Sequence, residues 1–219
     1  MGRVFSVEAC VFDLDGVLVD SEPVWEEVRR AFVAEHGGTW QDDTQSRLMG
    51  MSTAEWASYL HELGVRLPPD EIARQVVDRM AERYRAHLPL MKGAPEAVRR
   101  LGDHFTLGLA SSSPRRLIDV VLESSDLHDC FDATVSTEEV DRGKPAPDGY
   151  LKVARLLGVD PDECVAVEDS SNGLRSADAA GMRVVAVLHP RYPPAPDALV
   201  LAWRIVERLD ALTPELLDG

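Results

Sequence analysis

Residues 7–20 read VEACVFDLDGVLVD, and this stretch decides the fold. Its first part, residues 7–12, is short, apolar and rich in β-branched and aromatic residues, which is typical of a buried strand. Two aspartates, Asp13 and Asp15, follow directly. In a doubly wound α/β sheet, ligands bind beyond the carboxyl ends of the strands. The stretch therefore predicts a strand that delivers two carboxylates to a binding edge.

The rest of the chain divides into two regions of different periodicity. Residues 21–88 contain helical patterns that open near residues 21, 53 and 70, with a capping box at Ser52 and Glu55, and no convincing strand. After residue 92, strand candidates alternate with helical patterns. The strand candidates are 106–110, 133–136, 164–167 and 184–188, and the helical patterns lie near 94–102, 114–124, 147–157 and 172–181. A loop follows at 189–196, and a short apolar run at 198–201 and a helical segment over 203–210 complete the core.

This alternation predicts a parallel sheet with helices on both faces. We therefore expect an α/β fold, a doubly wound, Rossmann-like parallel sheet with a small all-α domain inserted into it. Residues 1–20 and 89–219 would form the core, and residues 21–88 would form the insertion.

The balance of charge limits the partners. The chain has 219 residues, with 38 Asp and Glu against 23 Lys and Arg, and a formal net charge of −15. This acidity argues against nucleic acid and against an anionic membrane surface, which both require clustered basic residues. Three scattered cysteines, with no membrane span and no signal-peptide pattern, favour a reducing, cytoplasmic setting. We expect a monomer, with a dimer as the alternative.

Polar residues follow several predicted strands. Ser111 to Ser113 follow the second strand, Glu168 and Asp169 follow the fourth, and Lys144 precedes a helix. Each has an ordinary structural explanation by itself, and Ser113 before Pro114 fits a helix N-cap. Together, however, they converge on one sheet edge with the first two aspartates. Two carboxylates about 4 Å apart repel by roughly 4 kcal/mol at an effective dielectric of ~20, so the edge needs a cation or protonated acids. Oxygen ligands without His or Cys favour Mg²⁺ over zinc.

The stretch DLDGVLVDSE at residues 13–22 resembles the signature of the haloacid dehalogenase-like superfamily of phosphohydrolases. The resemblance continues through Ser111, the sequence GKP at 143–145 and the sequence EDSSNG at 168–173, in the family's order. It covers nearly the whole chain. The helical insertion is similar to the small cap of the β-phosphoglucomutase-like and phosphoglycolate-phosphatase-like branch.

The resemblance implies a role for each acidic residue. Asp13 would be the nucleophile and would form an aspartyl-phosphate. Asp15, brought close by a bend at Gly16, would protonate the leaving group and later deprotonate water. Mg²⁺ would be held by the Asp13 carboxylate, the Asp15 main-chain carbonyl and Asp169, and Glu168 would complete the metal site by orienting ligands or bound water.

Further residues would bind the substrate. Ser111 would donate a hydrogen bond to a phosphoryl oxygen, and Lys144 would offset the charge of the phosphate and of Asp13. The other candidate substrate-binding residues are Ser112, Gly16, Glu22, Trp25, Arg47, Met51 and Asn172.

The second aspartate of the motif favours phosphoryl transfer over dehalogenation. Phosphoglucomutases of this family carry a histidine where this chain has Trp25, and a basic residue in the loop that here contains Met51. We therefore expect an Mg²⁺-dependent phosphatase that hydrolyses a small phosphorylated metabolite, first of all a sugar phosphate. A phosphosugar mutase is the alternative, and a non-enzymatic phosphometabolite-binding protein is a third possibility.

Overall fold

The computed structural model describes residues 6–218. Its strands are β1 (Ala9–Phe12), β2 (Thr106–Ser111), β3 (Ala133–Ser136), β4 (Cys164–Glu168), β5 (Arg183–Val187) and β6 (Arg204–Val206). They form one sheet in the order β3-β2-β1-β4-β5-β6, with every pair parallel. The predicted parallel α/β sheet is confirmed. The order of connection reverses at β1 and β4, and such a switch point opens a crevice at the carboxyl ends of the strands.

The helices fall into two groups along the chain. Between β1 and β2 lie α1 (Glu22–Glu35), α2 (Thr44–Leu48), α3 (Thr53–Glu62), α4 (Pro69–Ala86) and α5 (Ala94–Gly102). Later come α6 (Arg115–Ser124), α7 (Asp148–Leu157), α8 (Ser171–Ala179), α9 (Pro196–Leu199) and α10 (Pro214–Asp218). Within residues 6–218, no helix combines the length and apolar character that crossing a membrane requires.

Alternate residues of the strands supply two separate hydrophobic layers. Ala9 and Val11 of β1 point to one face of the sheet, where they pack with Tyr150 of α7 and Leu174 of α8. Phe12 lies on the other face, where it joins Leu101 of α5 and the apolar side of α6. This period of two is the expected consequence of the pleat in a sheet that is covered on both sides.

Residues 21–88, called the cap from here on, contain α1 to α4 and attach to the sheet by two adjacent segments. The backbone N–H of Asp20 donates to the Pro89 carbonyl at 2.9 Å, and that of Met91 donates to the Leu18 carbonyl at 2.9 Å. The predicted capping box of Ser52 and Glu55 opens α3. The five-residue α2 was not predicted, because a helix this short has no measurable periodicity.

The prediction of a helix over 203–210 is wrong, because this segment contains β6. The Trp203 N–H donates to the Val184 carbonyl at 2.8 Å, and the Leu188 N–H donates to the Val206 carbonyl at 2.9 Å. Ile205 is 51% exposed whereas Val206 is 7% exposed, as expected for alternation along a strand. Three residues are too few to reveal that alternation in the sequence, and the partner strand β5 decides the conformation.

Candidate active site

A cavity of about 1010 Å³ lies between the carboxyl ends of the strands and the cap. Most of the predicted site residues line it. From the sheet side these are Asp13, Asp15, Gly16, Ser112, Lys144, Asp169 and Asn172, and from the cap they are Glu22, Trp25 and Met51. Ser111 and Glu168 lie behind this surface, and the structure does not bring Arg47 to the cavity.

Lys144 joins the two strands at the switch point. Its Nζ atom donates to Asp13 Oδ1 at 2.7 Å, after β1, and to Glu168 Oε1 at 2.5 Å, at the end of β4. Burial alone would lower the pKa of Lys144, but the two carboxylates outweigh it and raise that pKa above its usual range. Burial also raises the pKa of Asp13 to about 8, against the opposing effect of Lys144. The site therefore holds a permanent positive charge beside a carboxylate that is poorly stabilised without a further cation.

Glu168 is fully buried, and both of its carboxylate oxygens accept hydrogen bonds. Oε1 accepts from Lys144 and from the Tyr150 hydroxyl at 2.8 Å. Oε2 accepts from the Asp169 and Ser170 backbone N–H groups at 3.1 and 3.2 Å and from the Ser170 hydroxyl at 3.1 Å. A Cβ atom at Gly173 would lie 1.9 Å from this carboxyl, so the start of α8 can approach Glu168 only with glycine there. Glu168 thus fixes the positions of Lys144 and Asp169.

Asp169 has a carboxylate oxygen that no hydrogen bond from the described part of the chain engages. Its Oδ1 atom is buried and has no hydrogen-bond partner among the described residues. One carboxylate oxygen from each of Asp13, Glu168 and Asp169 lies within 4.8 Å of the others. Burial and then the charge of Glu168 raise the pKa of Asp169 well above its usual range. A hard cation would relieve both the crowding and the unpaired oxygen, so the residues fit Mg²⁺.

Gly16 leaves room for Asp169. Its φ is +80°, and a Cβ atom at this position would lie 1.8 Å from Asp169 Oδ2. The turn after β1 and the turn after β4 are therefore in direct contact. Only a residue without a side chain allows both the left-handed backbone conformation and this approach.

Asp15 is held by two serines, Ser111 at the end of β2 and Ser113 just after it. Its Oδ2 atom accepts from the Ser113 hydroxyl at 2.6 Å and from the Ser111 hydroxyl at 3.4 Å. Ser111 also accepts from the Ser113 backbone N–H at 3.0 Å. The interpretation of Ser113 as an N-cap is wrong, since Pro114 occupies that position and Ser113 faces Asp15. No local sequence pattern indicates this contact, because Asp15 and Ser113 are far apart in the chain.

The cap side of the cavity combines aromatic and charged groups. The Cζ atom of Arg29 lies 4.3 Å from the ring centroid of Trp25 and 4.9 Å from that of Trp56. Glu22 accepts a hydrogen bond of 2.7 Å from Gln45 Nε2, and burial raises the pKa of Glu22. Arg29 and Gln45 did not stand out in the sequence, because an arginine or glutamine on an amphipathic helix normally faces solvent.

Two contacts explain the remaining cap residues. Arg47 Nη1 donates to the Tyr59 hydroxyl at 3.1 Å and pairs with Asp43, so this arginine binds the cap's own surface. A Cβ atom at Gly50 would lie 3.5 Å from Asn172 Nδ2, so the loop before α3 borders the start of α8. The cap therefore meets the sheet edge beside the predicted residues Met51 and Asn172.

A sheet edge that presents an aspartate after β1, a lysine paired with it and an acidic cluster after β4 defines a hydrolase of the haloacid dehalogenase class. The family described as haloacid dehalogenase-like hydrolase matches residues 7–181. The chain belongs to this family, and it is an enzyme. The resemblance in the sequence is thereby confirmed.

Similar proteins support the assignment over nearly the full length. Hexitol phosphatase B of Escherichia coli (strain K12) is 37% identical over 222 residues, which cover 96% of this chain and 96% of that protein. The phosphorylated carbohydrates phosphatase of Thermotoga maritima is 33% identical and covers 84% of this chain and 86% of that protein. The crystal structure of a putative β-phosphoglucomutase from Thermotoga maritima has 30% identity and a TM-score of 0.77, with 97% of this chain and 99% of that chain covered.

Proposed function

We propose that this protein is an Mg²⁺-dependent phosphatase that hydrolyses a small phosphorylated sugar through an aspartyl-phosphate on Asp13. The observation that carries the proposal is the pairing of Asp13 with Lys144 at 2.7 Å on the wall of the cavity, beside the unpartnered Oδ1 of Asp169. The names of the similar carbohydrate phosphatases support the choice of substrate class.

Asp13 is the nucleophile in this proposal. One of its carboxylate oxygens attacks phosphorus, a new P–O bond forms, and the bond from phosphorus to the sugar oxygen breaks. Lys144 keeps Asp13 in place and offsets the negative charge of the incoming phosphoryl group. The net charge of −15 makes this local cation important, since the protein as a whole repels anions.

Asp15 moves the protons. Its carboxyl gives a proton to the departing sugar oxygen in the first step. In the second step it takes a proton from water, the water oxygen bonds to phosphorus, and the bond to Asp13 breaks to release phosphate. The hydroxyl of Ser113 supports this role by holding Asp15 Oδ2 at 2.6 Å beside the cavity.

The Asp13 and Asp169 carboxylates, with the Asp15 main-chain carbonyl, would hold Mg²⁺. When bound, the ion supplies charge stabilisation to the phosphoryl oxygens. Glu168 supports the site from behind, since its own oxygens are engaged by Lys144, Tyr150 and Ser170.

Hydrolysis is preferred over the mutase alternative because the cap lacks the expected groups. Trp25 stands where the mutases carry a histidine, and it packs against Trp56 with ring centroids 5.9 Å apart. Met51 lines the cavity from the neighbouring loop, together with Met49 and Gly50. Neither side chain supplies the charge that would hold a second phosphate.

The test is an assay of phosphate release from a panel of phosphomonoesters with and without Mg²⁺. We expect release from a hexose 6-phosphate, loss of activity after chelation, and a loss of at least about 1000-fold in Asp13→Asn. Circular dichroism of the variant should be unchanged. An isomerised sugar phosphate without free phosphate would instead indicate the mutase, and near-normal turnover in Asp13→Asn would exclude this mechanism.

A further inference from the structure

Arg29 is a charged side chain that is enclosed by the cap and still lines the cavity. It lies in α1, is 5% exposed and contacts the rings of Trp25 and Trp56. Its Nε atom is buried and has no hydrogen-bond partner within residues 6–218. The two indole rings stabilise the charge through cation–π attraction, but they offer no acceptor for an N–H group. A buried donor without an acceptor is unfavourable, so the site is incomplete as it stands.

The neighbours of Arg29 limit the acceptor that could complete the site. The carboxylates of Glu22 and Asp15 are the acidic groups that act most strongly on its charge. Glu22 also lines the cavity, and Gln45 holds one of its oxygens in place. A second phosphate or a carboxylate at this point would be repelled by Glu22. A hydroxyl group suits the pair, because it accepts from a guanidinium and donates to a carboxylate.

We propose that Arg29 is a specificity-determining residue that donates hydrogen bonds to hydroxyl oxygens of a phosphorylated substrate whose end away from the phosphate is uncharged and polyhydroxylated. This inference rests on the proposed phosphatase function and specifies its substrate class. Glu22 accepts from the same hydroxyl groups, and the Trp25 ring packs against the carbon chain.

The experiment compares Arg29→Met and Arg29→Lys with the wild type on three substrates. Glucose 6-phosphate carries hydroxyl groups, phenyl phosphate carries none, and fructose 1,6-bisphosphate carries a second phosphate. We expect Arg29→Met to raise KM for glucose 6-phosphate and to lower kcat/KM about 10- to 100-fold, the size of a hydrogen bond to a charged group. For phenyl phosphate, kcat/KM of Arg29→Met should differ from the wild-type value by less than about 3-fold. For glucose 6-phosphate, kcat/KM of Arg29→Lys should lie between the values of the wild type and Arg29→Met, since an ammonium cannot reproduce the planar donor geometry.

Arg30→Met is the matched control. Arg30 is the next residue of α1, lies 5.5 Å from the Trp40 ring and pairs with Glu26 at the protein surface. Arg30→Met should leave KM and kcat/KM unchanged for all three substrates. Equal losses on glucose 6-phosphate and phenyl phosphate in both Arg29 variants would reveal a purely structural role and overturn the inference. A preference for the bisphosphate that disappears in Arg29→Met would overturn it in favour of a second anion site.

A binding measurement separates this inference from the phosphatase proposal. Trp25 and Trp56 contact Arg29, so tryptophan fluorescence should report a ligand at this position. Glucose 6-phosphate is titrated into Asp13→Asn and into Asp13→Asn with Arg29→Met. A Kd for glucose 6-phosphate that is about 10-fold or more lower in Asp13→Asn than in the double variant supports the role of Arg29, even if the wild type releases no phosphate. Equal affinities contradict it, even if the wild type is an active phosphatase.

Discussion

The hydroxyl of Ser113, in the segment after β2, donates a hydrogen bond of 2.6 Å to Asp15 Oδ2 in the segment after β1. Ser113 is buried, and its position is fixed by its backbone N–H, which donates to Ser111 at 3.0 Å. Asp15 is therefore oriented by the segment after the neighbouring strand, in addition to its own turn.

We predict that Ser113→Ala lowers kcat about 10-fold, because Asp15 loses the hydrogen bond that directs it toward the leaving group. Steady-state phosphate release is the measurement. Ser113→Thr keeps the hydroxyl and should recover much of the rate. Ser125→Ala is the control. Ser125 is also buried, but its hydroxyl donates to the Val121 carbonyl of α6, the helix that it directly follows. Equal kcat in Ser113→Ala and the wild type would exclude a positioning role.

Gly16→Ala should abolish activity and raise the Kd for Mg²⁺ by more than 10-fold, which corresponds to a loss of more than about 1.4 kcal/mol of binding free energy. The added Cβ atom would overlap Asp169, because it would lie only 1.8 Å from Asp169 Oδ2. Gly181→Ala is the control, because Gly181 has a φ of +83° but nothing within 4 Å of the added atom. It should show only the cost of the left-handed backbone, about 1 kcal/mol of unfolding free energy. Isothermal titration with Mg²⁺ and thermal melts distinguish the two effects.

Without metal, the protein should become less stable as the pH rises from about 5 to about 8. The pKa of Asp13 is about 8 in the folded chain against a usual value of 3.8, so the folded state keeps a proton that the unfolded state has released. The stability is therefore present at low pH and is lost as the pH rises through this window. The raised pKa of Asp169 acts in the same direction.

The measurement is the Tm of chelator-treated protein across this pH range. The difference between the wild type and Asp13→Asn isolates the contribution of Asp13. Mg²⁺ binds the charged carboxylates, so it should raise Tm by several degrees near pH 8 and by less near pH 5. A difference that grows in favour of the wild type as the pH rises would contradict the prediction.

Glu168→Gln should destabilise the protein by about 3 kcal/mol and lower activity, since it removes the charge paired with buried Lys144. The amide would also present a donor to groups that are themselves donors, among them Tyr150 and the Ser170 N–H. Denaturant unfolding measures the loss. Tyr150→Phe removes one donor and leaves the charge pair intact, so we expect only about 1 kcal/mol from it. If the two variants are equally stable, the charge pair contributes nothing beyond a single hydrogen bond.

The sequence was sufficient to predict five of the six described strands and the positions of the acidic residues that follow them. β1, β2, β4 and β5 are apolar throughout their central residues, because both faces of a parallel sheet are buried. The acidic groups come at the ends of such segments, so the strand pattern alone indicates that Asp13 and Asp169 meet. β6 was missed because pairing with β5 determines it, and three residues carry no period.

The tertiary structure alone decided which groups touch. Hydrogen bonds such as Ser113 to Asp15 and Tyr150 to Glu168 join residues from different elements, and no local pattern encodes them. The same holds for Arg29, whose charge is buried only because α1 and α3 bring Trp25 and Trp56 against it. Periodicity and motif order reflect short-range geometry, and they determined the fold and the acidic strand ends. The partners of each polar group depend on long-range packing, which a linear sequence does not display.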